Sequence, residues 1–459
     1  MNNQSKKMEL LGCTSIPKAL LAMGIPTMIG MLVNAFYNLV DAYFVGGLGE
    51  SQMGAISVVY PLGQVVVGLG LLFGNGAASY ISRLLGRGDK ENADKVASTA
   101  LYSSVSVGAV IIIISMVFLH PILKLLGATD SILPYAATYA GIYIVSCIFN
   151  VFNVTMNNIV TSEGAAKTTM CALLTGAVLN IALDPLFIYV FDLGVAGAAI
   201  ATAISQVVST CVYLTYIFRK KSVFHFRVKD CTYTKETMSE IFKIGIPTLV
   251  FQILTSVSIS LINNAAGDYG DSAIAGKGVV TRLISMGSLS VFGFIKGFQP
   301  IAGYSYGAKK FDRLREAIKT SILWSTVFCV IFGVILALFP TAIVSQFTKG
   351  DAEMIRIGAA SLRANGISIM LFGFYTVYSS LFLALGKGRE GFILGACRQG
   401  ICFIPVILLL PMVWGLNGIM YAQPIADVLS AVITVFMAIP LHKKLNEMQR
   451  KTAEISPNN

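Results

Sequence analysis

Twelve long apolar stretches, joined mostly by short connections, occupy the chain from residue 16 to residue 442. They cover residues 16–44, 53–84, 95–121, 131–160, 164–191 and 194–219, then 236–267, 273–306, 314–344, 351–385, 389–414 and 416–442. About 20 apolar residues of helix cross a bilayer, so each stretch is long enough to span, several of them with tilt. A segment in lipid must satisfy its own backbone hydrogen bonds, which leaves helices or closed barrels. The apolar runs are continuous rather than alternating, which excludes a barrel. Charged residues make up 12% of the chain, against about 25% in a soluble domain. A soluble enzyme and a disordered chain are both excluded. The expected fold is an all-α polytopic membrane protein of twelve transmembrane helices.

The net charge of +11 would suggest nucleic acid in a soluble protein. Here the basic residues sit in connections between apolar spans, where they report topology. Of the 34 Lys and Arg, 26 fall at the termini and in alternate connections. Five lie on the opposite side (Lys124, Lys277, Lys349, Arg356, Arg363), and Arg282, Lys296 and Arg398 fall within spans. The asymmetry predicts a multi-pass protein of the cell membrane with both termini cytoplasmic. The first residues carry no short apolar core with a small-residue cleavage site, so the first span is expected to be its own insertion signal. The eight cysteines form no CxxC pair and are expected to be free packing residues.

The two halves repeat. Gly24-Ile25-Pro26-Thr27 recurs as Gly245-Ile246-Pro247-Thr248, an offset of 221 residues that also matches Gly46 to Gly267, Gly86 to Gly307, Gly194 to Gly415 and Gly197 to Gly418. Six spans per unit is an even number, so both units point the same way across the membrane. This is a parallel repeat, an arrangement found in transporters. It predicts two pseudo-symmetric six-helix lobes, residues 1–219 and 236–459, joined by a basic cytoplasmic linker over 220–235.

Polar residues within the first-half spans fall in helical register. The first span carries Asn34, Tyr37, Asn38 and Asp41; the fourth carries Asn150, Asn153 and Asn157; the fifth Asn180 and Asp184; the sixth Thr202, Ser205, Gln206 and Ser209. A single Asn or Ser in a span commonly bonds a neighbouring helix. Four stripes in one half, two of them bearing a carboxylate, point instead to a cavity. At 1.5 Å rise per residue, Asp41, Asp184 and Thr202 lie within roughly 5–12 Å of their spans' outer ends, so the four groups can meet. Two carboxylates away from water share a proton or a cation, so H⁺ or Na⁺ coupling is open at this point. Alternatively, Asp184 before Pro185 caps a helix end. The second half does not duplicate the site: offset 221 turns Asp41 into Ile262, Asp184 into Pro405 and Thr202 into Gln423. Its Arg398 and Asp427 are expected to pair as structural glue. Cargo is expected against Asn34, Tyr37, Asn38, Asn153, Asn157 and Gln206, with Gln252 facing them from the second half. Pro26 lies inside the first span, where it serves either as a static bend or as a hinge.

These residues resemble the multidrug and toxic compound extrusion (MATE) transporters, and within them the prokaryotic, MepA-like branch with an acidic first lobe. The resemblance rests on Asn38-Leu39-Val40-Asp41-Ala42-Tyr43-Phe44-Val45-Gly46 and on the run Leu179 to Phe187 containing Asn180 and Asp184. It also rests on the run Gly297 to Ala308 and on Gly194 to Thr202. It covers residues 16–442. It implies antiport of bulky amphipathic organic cations against H⁺ or Na⁺, with Asp41, Asn180, Asp184 and Thr202 as the coupling-cation site. No other cofactor is implied, and the expected partners are small cationic substrates and membrane lipids, not nucleic acid, with the chain acting as a monomer.

Two alternatives are weighed beside it. A flippase of a lipid-linked sugar needs a strongly cationic cavity, whereas the first half offers two acids; Arg282, Lys296 and Arg398 keep that reading open. A membrane enzyme finds no support in His120, His225 and His442, which show no metal or nucleophile spacing. Gly276-Lys277 and Gly386-Lys387 are each followed by Gly, so neither forms a Walker A loop.

Overall fold

A computed structural model describes residues 3–267, 269, 271–347 and 352–455. Lys349, counted above among the sparse charges, lies outside them. The first half contains α1 (Asn3–Gly12), α2 (Ile16–Gly46), α3 (Glu50–Gly86), α4 (Lys90–Val117), α5 (Leu119–Leu125), α6 (Leu133–Ser162), α7 (Ala166–Pro185) and α8 (Gly194–Phe218). The second half contains α9 (Lys235–Gly267), α10 (Asp271–Gly307), α11 (Phe311–Leu338), α12 (Pro340–Ser345), α13 (Ala352–Ser368), α14 (Phe372–Ala384), α15 (Gly388–Ala396), α16 (Phe403–Trp414) and α17 (Leu416–Ile455). Among the described residues all regular structure is helical, and 12 helices are long and apolar enough to cross a membrane. Helices α13–α14 and α15–α16 each make one such crossing, joined through a short 3₁₀ turn and a π turn.

The departures from the expected limits have local causes. The stretch 314–344 divides because α11 stops at Leu338 and Pro340, which has no N–H to give, starts α12. The last helix continues past residue 442 to Ile455 on a polar surface. The short α1 was not expected at all. The segment 220–235 is no free tether: Val223, Phe224 and Phe226 are buried in the first half's apolar core, and Thr232 N donates to Thr99 Oγ1 at 2.8 Å.

The repeat is visible as geometry. Gly194 and Gly415, offset by 221, both turn the chain at positive φ, +53° and +57°, just ahead of the sixth and twelfth spans. There a β-carbon would be strained. Gly86 and Gly307 stand where α3 and α10 cross. A β-carbon on Gly86 would lie 2.2 Å from the Tyr304 carbonyl, and one on Gly307 would lie 2.1 Å from the Arg83 carbonyl. Arg83 and Tyr304 are themselves one repeat offset apart, so each half presents the same face to the other.

The halves meet through α2 against α10 and α3 against α9. Among the described residues, hydrogen bonds across this seam start at mid-depth with Gln252 Nε2 to Gln64 Oε1, 2.6 Å. They continue through Asn75 Nδ2 to Thr248 Oγ1, 2.9 Å, and end with Arg83 Nη2 to Glu240 Oε2, 2.7 Å. All lie toward the end of the molecule that carries both termini. On the opposite half of α2, Phe36, Leu39 and Tyr43 are exposed, as are Ile253 and Val257 on α9. The two halves therefore form a cleft closed at the termini end and parted at the other.

Candidate cation site and interlobe cleft

The open end of the first half carries the acidic cluster. Asp41 comes from the last turns of α2, Asn180 and Asp184 from the last turns of α7, and Thr202 from the start of α8. Helices α2 and α7 pack along each other, and α7 packs on α8, which brings the three stripes together. The carboxyls of Asp41 and Asp184 lie within hydrogen-bonding reach of each other. Asn180 Nδ2 donates to Asp184 Oδ1 at 3.3 Å and to Thr202 Oγ1 at 3.5 Å. Asp184 is 0% exposed and Asn180 1%. Immediately after Asp184-Pro185 the backbone widens into a π turn, Leu186–Val190.

Three buried oxygens of this cluster have no hydrogen-bond partner among the described residues: Asp41 Oδ1, Asn180 Oδ1 and Asp184 Oδ2. Buried acceptors left unpaired are costly, and two carboxyls in contact need a proton or a cation between them. The donor set is all oxygen, two carboxyls with an amide and a hydroxyl, and suits a proton or a small hard cation. Among the described residues no group of three or more His, Cys, Asp or Glu could hold a metal. Tyr37 lies within electrostatic range of both carboxyls. Tyr139 and Tyr143, which sequence reasoning did not single out, stack beside them with ring centroids 5.5 Å apart.

The expected cargo wall divides into two groups. Asn34, Tyr37 and Asn38 lie on the open half of α2, where Asn38 is exposed and its Nδ2 donates to the Asn34 carbonyl at 2.8 Å. Asn153 and Asn157 are buried, and their amides are engaged within the protein. Asn153 Nδ2 donates to Gln206 Oε1 at 2.8 Å and its Oδ1 accepts from Thr210 at 2.9 Å. Asn157 Nδ2 donates to the Tyr213 hydroxyl at 3.3 Å, and Asn157 Oδ1 accepts from Lys296 of α10. Gln252 closes the seam against Gln64. Pro26 lies within an α2 that is continuous through it.

The second half holds a different device. Arg398, on the π turn between α15 and α16, donates from Nε to Asp427 Oδ1 at 2.8 Å. Ser368 and Gln423 complete the Asp427 shell at 2.8 and 2.9 Å. The guanidinium lies over the Phe372 ring, 4.6 Å from its centroid. This pair is buried and closed, as expected of structural glue. Arg282 is exposed. The cations that kept a flippase reading open therefore do not converge on one surface.

Twelve crossings in two repeats around a cleft, with an ion-sized polar cluster in one of them, define a secondary transporter. The MatE family model matches residues 26–186 and again 247–409, one match per repeat. The multidrug export protein MepA of Staphylococcus aureus (strain MSSA476) is 32% identical over 429 residues, 93% of this chain and 94% of MepA. MepA of Staphylococcus saprophyticus is 32% identical over 94% of this chain and 95% of its own length. A solved structure described as the outward-facing conformation of a multidrug resistance MATE family transporter of the MOP superfamily matches with a TM-score of 0.90. It is 26% identical and covers 97% of this chain and 99% of that one. The chain belongs to the MATE family of multidrug efflux transporters. It is a multi-pass membrane transporter and not an enzyme, and transporters of this family are ion-coupled.

Proposed function

We propose that the chain exports bulky amphipathic organic cations in exchange for H⁺ or Na⁺ taken up between Asp41 and Asp184. The observation that carries this reading is the convergence of three unpartnered buried oxygens on one carboxyl pair. Asn180 and Thr202 are the neutral members of the site. The cargo surface runs along Asn34, Tyr37 and Asn38, with Asn153, Asn157, Gln206 and Gln252 deeper in the cleft. Amides and an aromatic ring there offer stacking, cation–π contact and neutral hydrogen bonds. With both termini cytoplasmic, the parted end of the cleft faces outward.

Antiport needs ion and cargo to favour different states, because a ligand shifts an equilibrium only by its differential affinity. Asp41 and the cargo stripe share α2, so neutralising the carboxyl pair is felt by the same helix that holds cargo. Pro26, with one backbone bond missing below the stripe, is the point at which α2 can change direction. The two lobes, 1–219 and 236–459, would then rock about the seam while 220–235 travels with the first. The naming of relatives as multidrug export proteins supports the choice of cargo class.

The test is export of a cationic dye from proteoliposomes under an imposed pH or Na⁺ gradient. Asp41→Asn and Asp184→Asn are expected to bind dye while losing gradient-driven export. Wild-type rates in both variants under either gradient would show that the carboxyls are structural.

A further inference from the structure

Lys296 is a cation that the first-half site does not account for. It lies mid-helix on α10 and reaches across the seam to Asn157 Oδ1 on α6. Ser82, Asn158, Thr161 and Gln299 line the small cavity around it, and none is acidic. Among the described residues no carboxylate lies within ion-pair distance of its ammonium. Among the described residues its hydrogen-bond partner is the amide that Tyr213 also holds.

The repeat shows what this position does when it is only an interlobe contact. Offset by 221, Lys296 corresponds to Asn75, and Asn75 crosses the same seam to Thr248 with a short neutral hydrogen bond. The second half has a longer, charged side chain in the equivalent place; Thr27, the offset partner of Thr248, bonds back to the Met23 and Gly24 carbonyls of its own helix, and Lys296 instead reaches an amide on α6. A neutral brace would have been sufficient for packing. An ammonium held half out of water with no carboxylate beside it costs free energy that a brace alone does not recover.

We infer that Lys296 is a tethered competitor for cationic cargo, sharing Asn157 with it and displacing it as the lobes close at the termini end. The two ends of the Lys296–Asn157 bond belong to different lobes, so parting the termini end must break it. Asn157 Oδ1 is then free to accept a hydrogen bond or to face a cargo cation. Closure returns the ammonium to that oxygen and puts like charge against the cargo, which leaves by the open end. The inference rests on the cation-export reading and adds a residue that selects by charge: an uncharged molecule of the same shape would not be expelled this way.

The test uses full-length protein purified in detergent and reconstituted in liposomes. Lys296→Met removes charge and bond; Lys296→Gln keeps a donor for Asn157 without charge; Lys296→Arg keeps both. Equilibrium binding is measured for ethidium and for uncharged phenanthridine, and ethidium export is measured under the imposed gradient. Both neutral variants are expected to bind ethidium about tenfold more tightly, to bind phenanthridine as wild type does, and to export ethidium more slowly. Lys296→Arg is expected to restore the wild-type pattern. Unchanged ethidium affinity in both neutral variants, or an equal gain for phenanthridine, would overturn the inference. Absence of ethidium export by the wild type would instead overturn the cation-export reading. If Lys296→Met does not fold, the Gln variant decides alone, since it preserves the seam contact.

Discussion

Arg83 on α3 and Glu240 on α9 meet at 2.7 Å across the seam, with side-chain exposures of 8% and 21%. Arg83 is also bonded back to the Ser79 carbonyl at 3.3 Å and lies over the Tyr80 ring, 5.3 Å from its centroid. The guanidinium is therefore fixed by its own helix before it meets Glu240. A charge-assisted hydrogen bond held this way is worth more than a mobile surface pair.

Glu240→Gln keeps the shape and removes the charge. The loss is about 1.5 kcal/mol of lobe apposition, the lower end for bonds to charged groups. That is roughly a tenfold shift toward states parted at the termini end. Spin labels at Lys90 and Lys309, both exposed on that end in different lobes, are expected to show a larger population at long distance in the variant. An unchanged distance distribution would remove Arg83–Glu240 from the closure.

The coupling site should respond in grades. Asn180 and Thr202 supply neutral oxygens beside the carboxyls, and Asn180 Nδ2 ties the group together, donating to Asp184 Oδ1 at 3.3 Å and to Thr202 Oγ1 at 3.5 Å. Asn180→Ala and Thr202→Ala are expected to retain export but to need about tenfold more coupling ion at half-maximal rate, the scale of losing an orienting partner. The measurement is dye export against ion concentration in proteoliposomes. Abolition of export equal to that of Asp184→Asn would mean that the neutral groups carry the site.

Arg398 and Asp427 serve as a contrast, because their carboxylate is fully bonded. Breaking a buried pair by removing one partner costs about 3–5 kcal/mol, while replacing both with apolar groups is often neutral. Asp427→Leu and Arg398→Met are each expected to lower the thermal midpoint in detergent, and the double variant to recover most of it. Export per folded molecule should stay near wild type in the double variant. If it vanishes while stability returns, the pair belongs to the transport mechanism.

The sequence carried the fold because a membrane span is a property of one segment at a time. Length and apolarity located all twelve crossings, and a missing N–H at Pro340 explains why the stretch 314–344 divides. The first-half cluster was legible for a related reason: Asp41, Asn180, Asp184 and Thr202 lie at similar depth on three helices. What periodicity could not show is which side chain answers which across the seam. Asn157 reads as a free amide until Lys296 arrives from α10, and the repeat offset to Asn75 was the one clue that position 296 faces the other lobe. Lys7 and Glu163 were unreadable, since nothing in residues 3–12 announces that a ten-residue helix will be held from both sides.

That helix gives the last expectation. Lys7 Nζ reaches Glu163 Oε1 at 3.0 Å in the first lobe, where Glu163 is 0% exposed. At its C-terminal end α1 is held by the second lobe. Lys310 Nζ donates to the Gly12 carbonyl at 2.9 Å, and Arg313 donates to the carbonyls of Leu10, Leu11 and Thr14 at 3.3, 3.1 and 2.5 Å. The last carbonyls of a helix have no partners within it, and a cation there also opposes the negative end of the dipole. Such a helix is too short to persist alone, so each anchor should be felt over its whole length. Arg313→Met is expected to raise amide hydrogen exchange across residues 3–12 by at least tenfold while leaving α11 protected. Lys7→Met leaves the Glu163 carboxylate with the Tyr216 and Ser222 hydroxyls and the Val223 N–H but no cation. It is expected to cost about 3 kcal/mol of stability as a broken buried pair. Unchanged exchange in Arg313→Met would mean that the Arg313 bonds do not hold α1, leaving Lys310 as its anchor in the second lobe.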